Sequence, residues 1–113
     1  MQYEMKVKGK KIYVKCTGGC DEENTKCVLF IAFDEVGKVL ELGCKCETIE
    51  FDHTQDPQVG CVLEWTEKKE GKRRTFYYQC KNDRCDKDCI FWFEQKDGGL
   101  ADKGCECISW NSI

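Results

Sequence analysis

A small, mainly β, disulfide-rich fold built from a tandem repeat of two antiparallel four-element units is what this sequence predicts, and three observations predict it. First, one cysteine pattern is written twice: Cys16-x3-Cys20-x6-Cys27-x16-Cys44-x-Cys46, then Cys80-x4-Cys85-x3-Cys89-x15-Cys105-x-Cys107. Second, each third cysteine is followed by an apolar run, Val28-Leu29-Phe30-Ile31-Ala32-Phe33 in one copy and Ile90-Phe91-Trp92-Phe93 in the other. Third, each pattern closes on the same phrase, Gly43-Cys44-Lys45-Cys46 and Gly104-Cys105-Glu106-Cys107. Agreement in order, spacing and flanking residues points to a duplicated unit, covering residues 1–50 and 61–113 with a connector at 51–60.

The elements follow in order. Tyr3, Met5 and Val7 alternate with polar residues up to Gly9, and Ile12, Val14 and Cys16 alternate after it. Leu63 and Trp65 lead to Gly71 in the second copy, and Phe76, Tyr78 and Cys80 follow. Two-residue alternation on both sides of a glycine reads as a β-hairpin with one buried face. Tyr3-Glu4-Met5 aligns with Leu63-Glu64-Trp65, and Gly9-Lys10-Lys11 with Gly71-Lys72-Arg73. The third element is a short apolar run. Its β-branched and aromatic content, with Gly37 and Gly98-Gly99 soon after, favours a strand, and a helix over residues 21–33 is the competing reading. If it is a strand, Phe91 and Phe93 point opposite to Trp92. The fourth element carries Cys-x-Cys. In a strand both sulfurs face one side, and Leu40, Leu42, Cys44 and Cys46 alternate as that requires. The segment 52–58 holds the lone proline and lone histidine among turn-forming residues and reads as the connector.

Composition fixes the class. Eleven cysteines in 113 residues approach the ~10% level of a disulfide scaffold. A unit of about 50 residues buries too little apolar surface to offset its chain entropy. A bridge closing a loop of about 30 residues contributes roughly 3–4 kcal/mol in the entropic account. Disulfides persist outside the cytosol, so a secreted, extracellular protein is expected. Residues 1–15 carry no apolar stretch of signal-peptide type, so the chain reads as a mature form with Met1 as an expression start. No run is long enough for a membrane span. A net charge of -3 with both signs mixed argues against nucleic acid as a partner.

All eleven cysteines (Cys16, Cys20, Cys27, Cys44, Cys46, Cys61, Cys80, Cys85, Cys89, Cys105 and Cys107) are expected in disulfides save one, because the number is odd. Cys61 has no counterpart in the first copy, so the odd cysteine is expected there. It is left unpaired here because its native partner is a cysteine just ahead of residue 2, or it bonds to a second chain to give a disulfide-linked dimer, or Cys61 bridges to the first unit. Order alone does not fix the pairing. Cys85-x3-Cys89 followed by Cys105-x-Cys107 resembles the cysteine-stabilised αβ motif of defensins and scorpion toxins. The first copy departs from it with Cys20-x6-Cys27, and the cysteine expected between the two pairs is missing. The resemblance therefore carries over no pairing or activity.

No catalytic constellation emerges, and the chain does not read as an enzyme. His53 sits in the connector as a solvated turn residue, and nucleophile, phosphate-loop and Cys-x-x-Cys motifs are absent. No metal or cofactor is expected. The binding candidates are a basic hairpin tip, Lys68, Lys69, Lys72, Arg73 and Arg74, with Tyr77 and Trp92, since Tyr77 and Tyr78 cannot both face inward and either Trp92 or the Phe91–Phe93 pair lies outside its unit. The first-copy tip is basic too, with Lys6, Lys8, Lys10 and Lys11. The expected function is a secreted, disulfide-stabilised binding module for an extracellular protein or a sulfated glycan, acting as an effector, toxin or immune modulator. One alternative is a serine protease inhibitor presenting Arg73 or Arg74. Another is a structural zinc protein using Cys-x-Cys with Cys-x3-Cys.

Overall fold

The computed structural model describes residues 2–18, 27–46, 48–55, 62–81, 88–97 and 99–113. They form nine strands and one short 3-10 turn, Trp110–Ser112. The strands are β1 (Gln2–Lys8), β2 (Lys11–Gly18), β3 (Cys27–Phe33), β4 (Val39–Cys46), β5 (His53–Gln55), β6 (Val62–Glu70), β7 (Arg73–Lys81), β8 (Asp88–Lys96) and β9 (Gly99–Ile108). The third element of each half is thus a strand, β3 or β8. Residues 53–55, inside the expected connector, add the short strand β5 to the edge of β6. Among the described residues no helix is long and apolar enough to cross a membrane.

All strands pair antiparallel in two sheets, ordered β1-β2-β8-β9 and β4-β3-β7-β6-β5. Each sheet therefore joins one hairpin from the first half of the chain to one from the second. The central seams, β2 on β8 and β3 on β7, are the contacts between halves. The two sheets also share their register. Tyr3 lies opposite Cys16 as Leu63 lies opposite Cys80. Leu29 lies opposite Cys44 as Phe91 lies opposite Cys105. Leu29 meets Tyr78 across one seam as Phe91 meets Val14 across the other.

Local chemistry explains the turns and edges. The β1–β2 and β6–β7 hairpins close through Gly9-Lys10 and Gly71-Lys72, with φ of +64° and +61° at the glycines. A glycine at the first central position supplies the positive φ of a type II′ turn, whose twist suits the flanking strands. Ladder irregularities interrupt the alternation in β4 and β9 at matching places, between Ala32 and Phe33 of one ladder and between Glu94 and Gln95 of the other. The extra residues are Leu40 and Ala101, both exposed, and Val39 and Leu100 turn inward instead. The simple alternation expected for Leu40, Leu42 and Cys44 is broken there by a β-bulge, which places one unpaired residue outside.

Strand alternation then builds a single core from both sheets. Val14, Phe91, Phe93 and Cys105 of the first sheet meet Leu29, Ile31, Phe33, Cys44, Leu63, Phe76 and Tyr78 of the second. Each fully buried side chain of this size contributes about 1.5–3 kcal/mol. Tyr78 and Phe91 meet edge to face across the sheets, their ring centroids 5.5 Å apart. Cys16 and Cys80 pack against the same cluster. Cys44 and Cys105 belong to this cluster, and among Cys16, Cys44, Cys80 and Cys105 no pair is at disulfide distance, whereas Cys107 is disulfide-bonded. Cys27, Cys46 and Cys89 are described by backbone alone, and Cys20, Cys61 and Cys85 lie outside the described residues.

Tyr78 is the largest side chain sealed in this core, and its hydroxyl finds no hydrogen-bond partner among the described residues. Burial, with Cys16 and Cys105 nearby, holds its pKa well above the ordinary phenol value. The folded state therefore keeps its proton where the unfolded chain would lose it. This contribution is intact below the unfolded tyrosine pKa and fades as pH rises toward the folded one. Tyr78→Phe removes an unsatisfied buried hydroxyl, so stability should hold or rise by about 1 kcal/mol. The variant should also lose less stability than the wild type above about pH 10. Denaturant midpoints at neutral and alkaline pH test both statements, and a clear neutral-pH loss in Tyr78→Phe would contradict the first.

Candidate functional site

The residues that point inward leave their neighbours pointing out. Tyr77 lies between the core residues Phe76 and Tyr78, and Trp92 between Phe91 and Phe93. Successive strand residues face opposite sides, so both rings emerge on outer faces. They emerge on different sheets, back to back across the sandwich. The sequence-derived pair Tyr77 and Trp92 therefore does not form one site.

Each ring belongs to a short row running across three strands. On the second sheet, Tyr77 of β7 lies opposite Phe30 of β3, which lies opposite Gly43 of β4. On the first, Tyr13 of β2 lies opposite Trp92 of β8, which lies opposite Gly104 of β9. The glycine in each row makes room for the central ring. A Cβ on Gly43 would stand 2.9 Å from the Phe30 ring, and one on Gly104 would stand 2.6 Å from Trp92. Contacts that short do not occur, so the repeated Gly-Cys-x-Cys phrase has a steric cause: its glycine is a seat for an aromatic side chain.

Lysines lie over these rows. Lys45 places its ammonium 4.9 Å from the Phe30 ring centre and 6.0 Å from that of Tyr77, and Lys68 lies 5.6 Å from Tyr77. Lys11 lies 4.3 Å from Trp92. A cation over an aromatic face gains about 0.5–1 kcal/mol at exposed sites. Phe30 is buried while Tyr77 is half-buried. The second-sheet row thus combines a ring at the surface with two ammonium groups fixed beside it.

The hairpin tip differs from its sequence-level picture. Lys68 and Lys69 are in β6, Lys72 is in the turn, and Arg73 and Arg74 open β7. Lys72 faces Glu35 at 3.7 Å, Arg73 donates to Glu41 at 2.7 Å, and Arg74 pairs with Glu67. Such exposed pairs are worth about 0–1 kcal/mol each. They nonetheless turn much of the tip's charge toward acids of the same molecule. Glu35, Lys69, Gly71, Lys72 and Arg74 line an open groove of about 250 Å³. Of the candidates, the second-sheet face gathers Tyr77 with Lys68 from the tip, and it adds Phe30 and Lys45, which sequence reasoning did not single out. The repeated glycine was the one signal that pointed to them.

The other end of the second sheet is closed. His53 of β5 stacks on Trp65 with ring centroids 4.1 Å apart, and the Asp52 carboxylate accepts a hydrogen bond from Thr66. Lys103 reaches across from β9 to lie 3.9 Å from the Trp65 ring centre and 4.9 Å from Phe76. Burial lowers its pKa, and Asp102 and Glu67 oppose that shift. His53 therefore serves packing at a sheet edge. Among the described residues no three His, Cys, Asp or Glu side chains gather as a metal ion would require.

No protein-family model matches the chain, and no curated protein or solved structure matches it. The geometry alone carries the functional reading.

The seat for Trp92 makes a direct test. Gly104→Ala should destabilise the protein by about 1–3 kcal/mol through overpacking. In a Trp92→Ala background, where the ring is gone, the same substitution should cost under about 0.5 kcal/mol, as expected of coupled neighbours in a double-mutant cycle. Equal costs in both backgrounds would show that the ring does not occupy the glycine's space.

Proposed function

We propose that this protein is a secreted, disulfide-stabilised binding module, not an enzyme, and that it engages an acidic surface of another extracellular protein. The observation that carries the reading is the second-sheet face, where Lys45 and Lys68 flank Tyr77 and Phe30 on a fixed backbone row. Half-exposed tyrosine is a common interface anchor because it offers a rigid ring and a hydroxyl at small entropic cost. Two ammonium groups beside it favour carboxylate-bearing partners and speed their encounter. The cysteine density supports an oxidising compartment, and the matching registers of the two halves support a duplicated unit. The protease-inhibitor alternative would need Arg73 or Arg74 to leave Glu41 or Glu67.

Two measurements test this. Immobilised wild-type protein should retain a protein from extracellular fluid. Tyr77→Ala and the Lys45→Glu, Lys68→Glu double variant should lose it, while Trp92→Ala on the opposite face should keep it. Equal retention by all four would sink the assignment to this face, and release only by sulfated polysaccharide would move the partner to a glycan. Thiol titration of the denatured, unreduced protein should find fewer than half of the eleven cysteines as reactive thiols. Finding most cysteines reduced in a natively folded sample would remove the extracellular placement.

A further inference from the structure

The two sheets end differently. β6 is covered at its edge by β5, and its inward residue Leu63 is fully buried. The corresponding strand of the other sheet is β1, which stands last in the order β1-β2-β8-β9. Its residues Tyr3, Met5 and Val7 lie opposite Cys16, Val14 and Ile12, so they point to the core side. Val14 is fully buried, yet Tyr3, Met5 and Val7 are 40%, 50% and 66% exposed. Among the described residues no strand pairs with the outer edge of β1, and an edge strand with an apolar inner face is a template for another strand.

We propose that β1 is a dimerisation edge, on which two copies of this chain pair antiparallel in a register centred on Met5. The sequence of β1, Gln2-Tyr3-Glu4-Met5-Lys6-Val7-Lys8, complements itself in that register. Glu4 of each copy falls opposite Lys6 of the other, Tyr3 falls opposite Val7, and Gln2 opposite Lys8. Both Glu–Lys pairs form at once because the contact is isologous. Moving the centre to Glu4 sets two carboxylates against each other, and moving it to Lys6 sets two ammonium groups against each other. Half-step registers set apolar residues opposite charged ones on both faces. Of these registers the Met5-centred one pairs opposite charges without setting like charges together, and keeps apolar residues on one face. Lys6 already donates to the carbonyl of Trp110 at 2.8 Å. An ammonium carries three N–H groups, so the Glu4 carboxylate can be bound as well. Pairing joins two four-stranded sheets into one continuous sheet and extends the Tyr3–Met5–Val7 stripe across the two-fold axis. The second-sheet face with Tyr77 stays open, so this dimer is independent of the binding reading above.

Sedimentation velocity with a charge-reversal cycle tests the proposal. Wild-type protein should pass from monomer to dimer as concentration rises to the millimolar range, and the dimer should dissociate in unreduced denaturant. Glu4→Lys and Lys6→Glu should each weaken dimerisation by about tenfold, because two attractive cross-strand pairs become repulsive. The double variant Glu4→Lys, Lys6→Glu should recover it, and an equimolar mixture of the two single variants should form heterodimers. Glu4→Lys alters an exposed side chain, so the cycle stands on it even if Lys6→Glu loosens the Trp110 contact. A wild-type chain that stays monomeric throughout would overturn the proposal. So would single variants that dimerise as well as the wild type, or a dimer that survives denaturant without reductant.

Discussion

The seams β2–β8 and β3–β7 are the constraint on which the rest of the molecule depends. Each joins a strand of the first half to a strand of the second, and each occupies the middle of its sheet. A hairpin alone is marginally stable in water. Either half by itself holds two hairpins but no central ladder. The inward residues of β3, Leu29, Ile31 and Phe33, are covered only when β7 and the facing sheet are in place. Burial and strand pairing at the seams are therefore gained together, between residues distant in sequence. Such topologies form slowly because loop closure precedes the contacts that offset it.

The shared register also explains where the two halves part company. The positions of Val14 and Tyr78 correspond across the seams, opposite Phe91 and Leu29. A small and a large residue at matching places let one ring cross the sandwich, and Tyr78 meets Phe91 in the facing sheet. Two tyrosines at these positions would compete for the same interior space. Trp65 and Met5 correspond in the same way, and their surroundings diverge: Trp65 has His53 and Lys103 against it, whereas Met5 is half exposed. Among the described residues β5 pairs with the edge of β6, and no strand pairs with the outer edge of β1.

Much of this was legible in the sequence, and the remainder was hidden for physical reasons. The hairpins showed because alternation and turn glycines are local signals, and Gly9 and Gly71 do adopt the positive φ that the turns need. The apolar runs at β3 and β8 showed as strands through their β-branched and aromatic residues. Which strands would pair did not show, since alternation records a buried face and not the identity of the neighbour. The exchange of hairpins between halves is thus a tertiary fact. The same limit hid Glu35, Glu41 and Glu67 as partners of the basic tip. The bulges at Leu40 and Ala101 escaped because one extra residue reverses the alternation without any compositional mark. The glycines of Gly43-Cys44 and Gly104-Cys105 were visible as a repeated phrase. Their cause, a ring lying across each, required the register.

The placement of Tyr77 and Trp92 bears on what either outer face can touch. Both sit in strands paired on either side, so each backbone is held by a ladder before any contact is made. That lowers the ordering cost that usually offsets interface energy. The rows lie on opposite outer faces, separated by two sheets that pack about 10 Å apart. One flat partner surface cannot touch both. Lys45 on the second sheet corresponds to Glu106 on the first by position within the Cys-x-Cys phrase, so the two faces also differ in charge. Two halves with matching registers thus carry two unlike outer surfaces, and the second-sheet row has an ammonium group on each side of its rings.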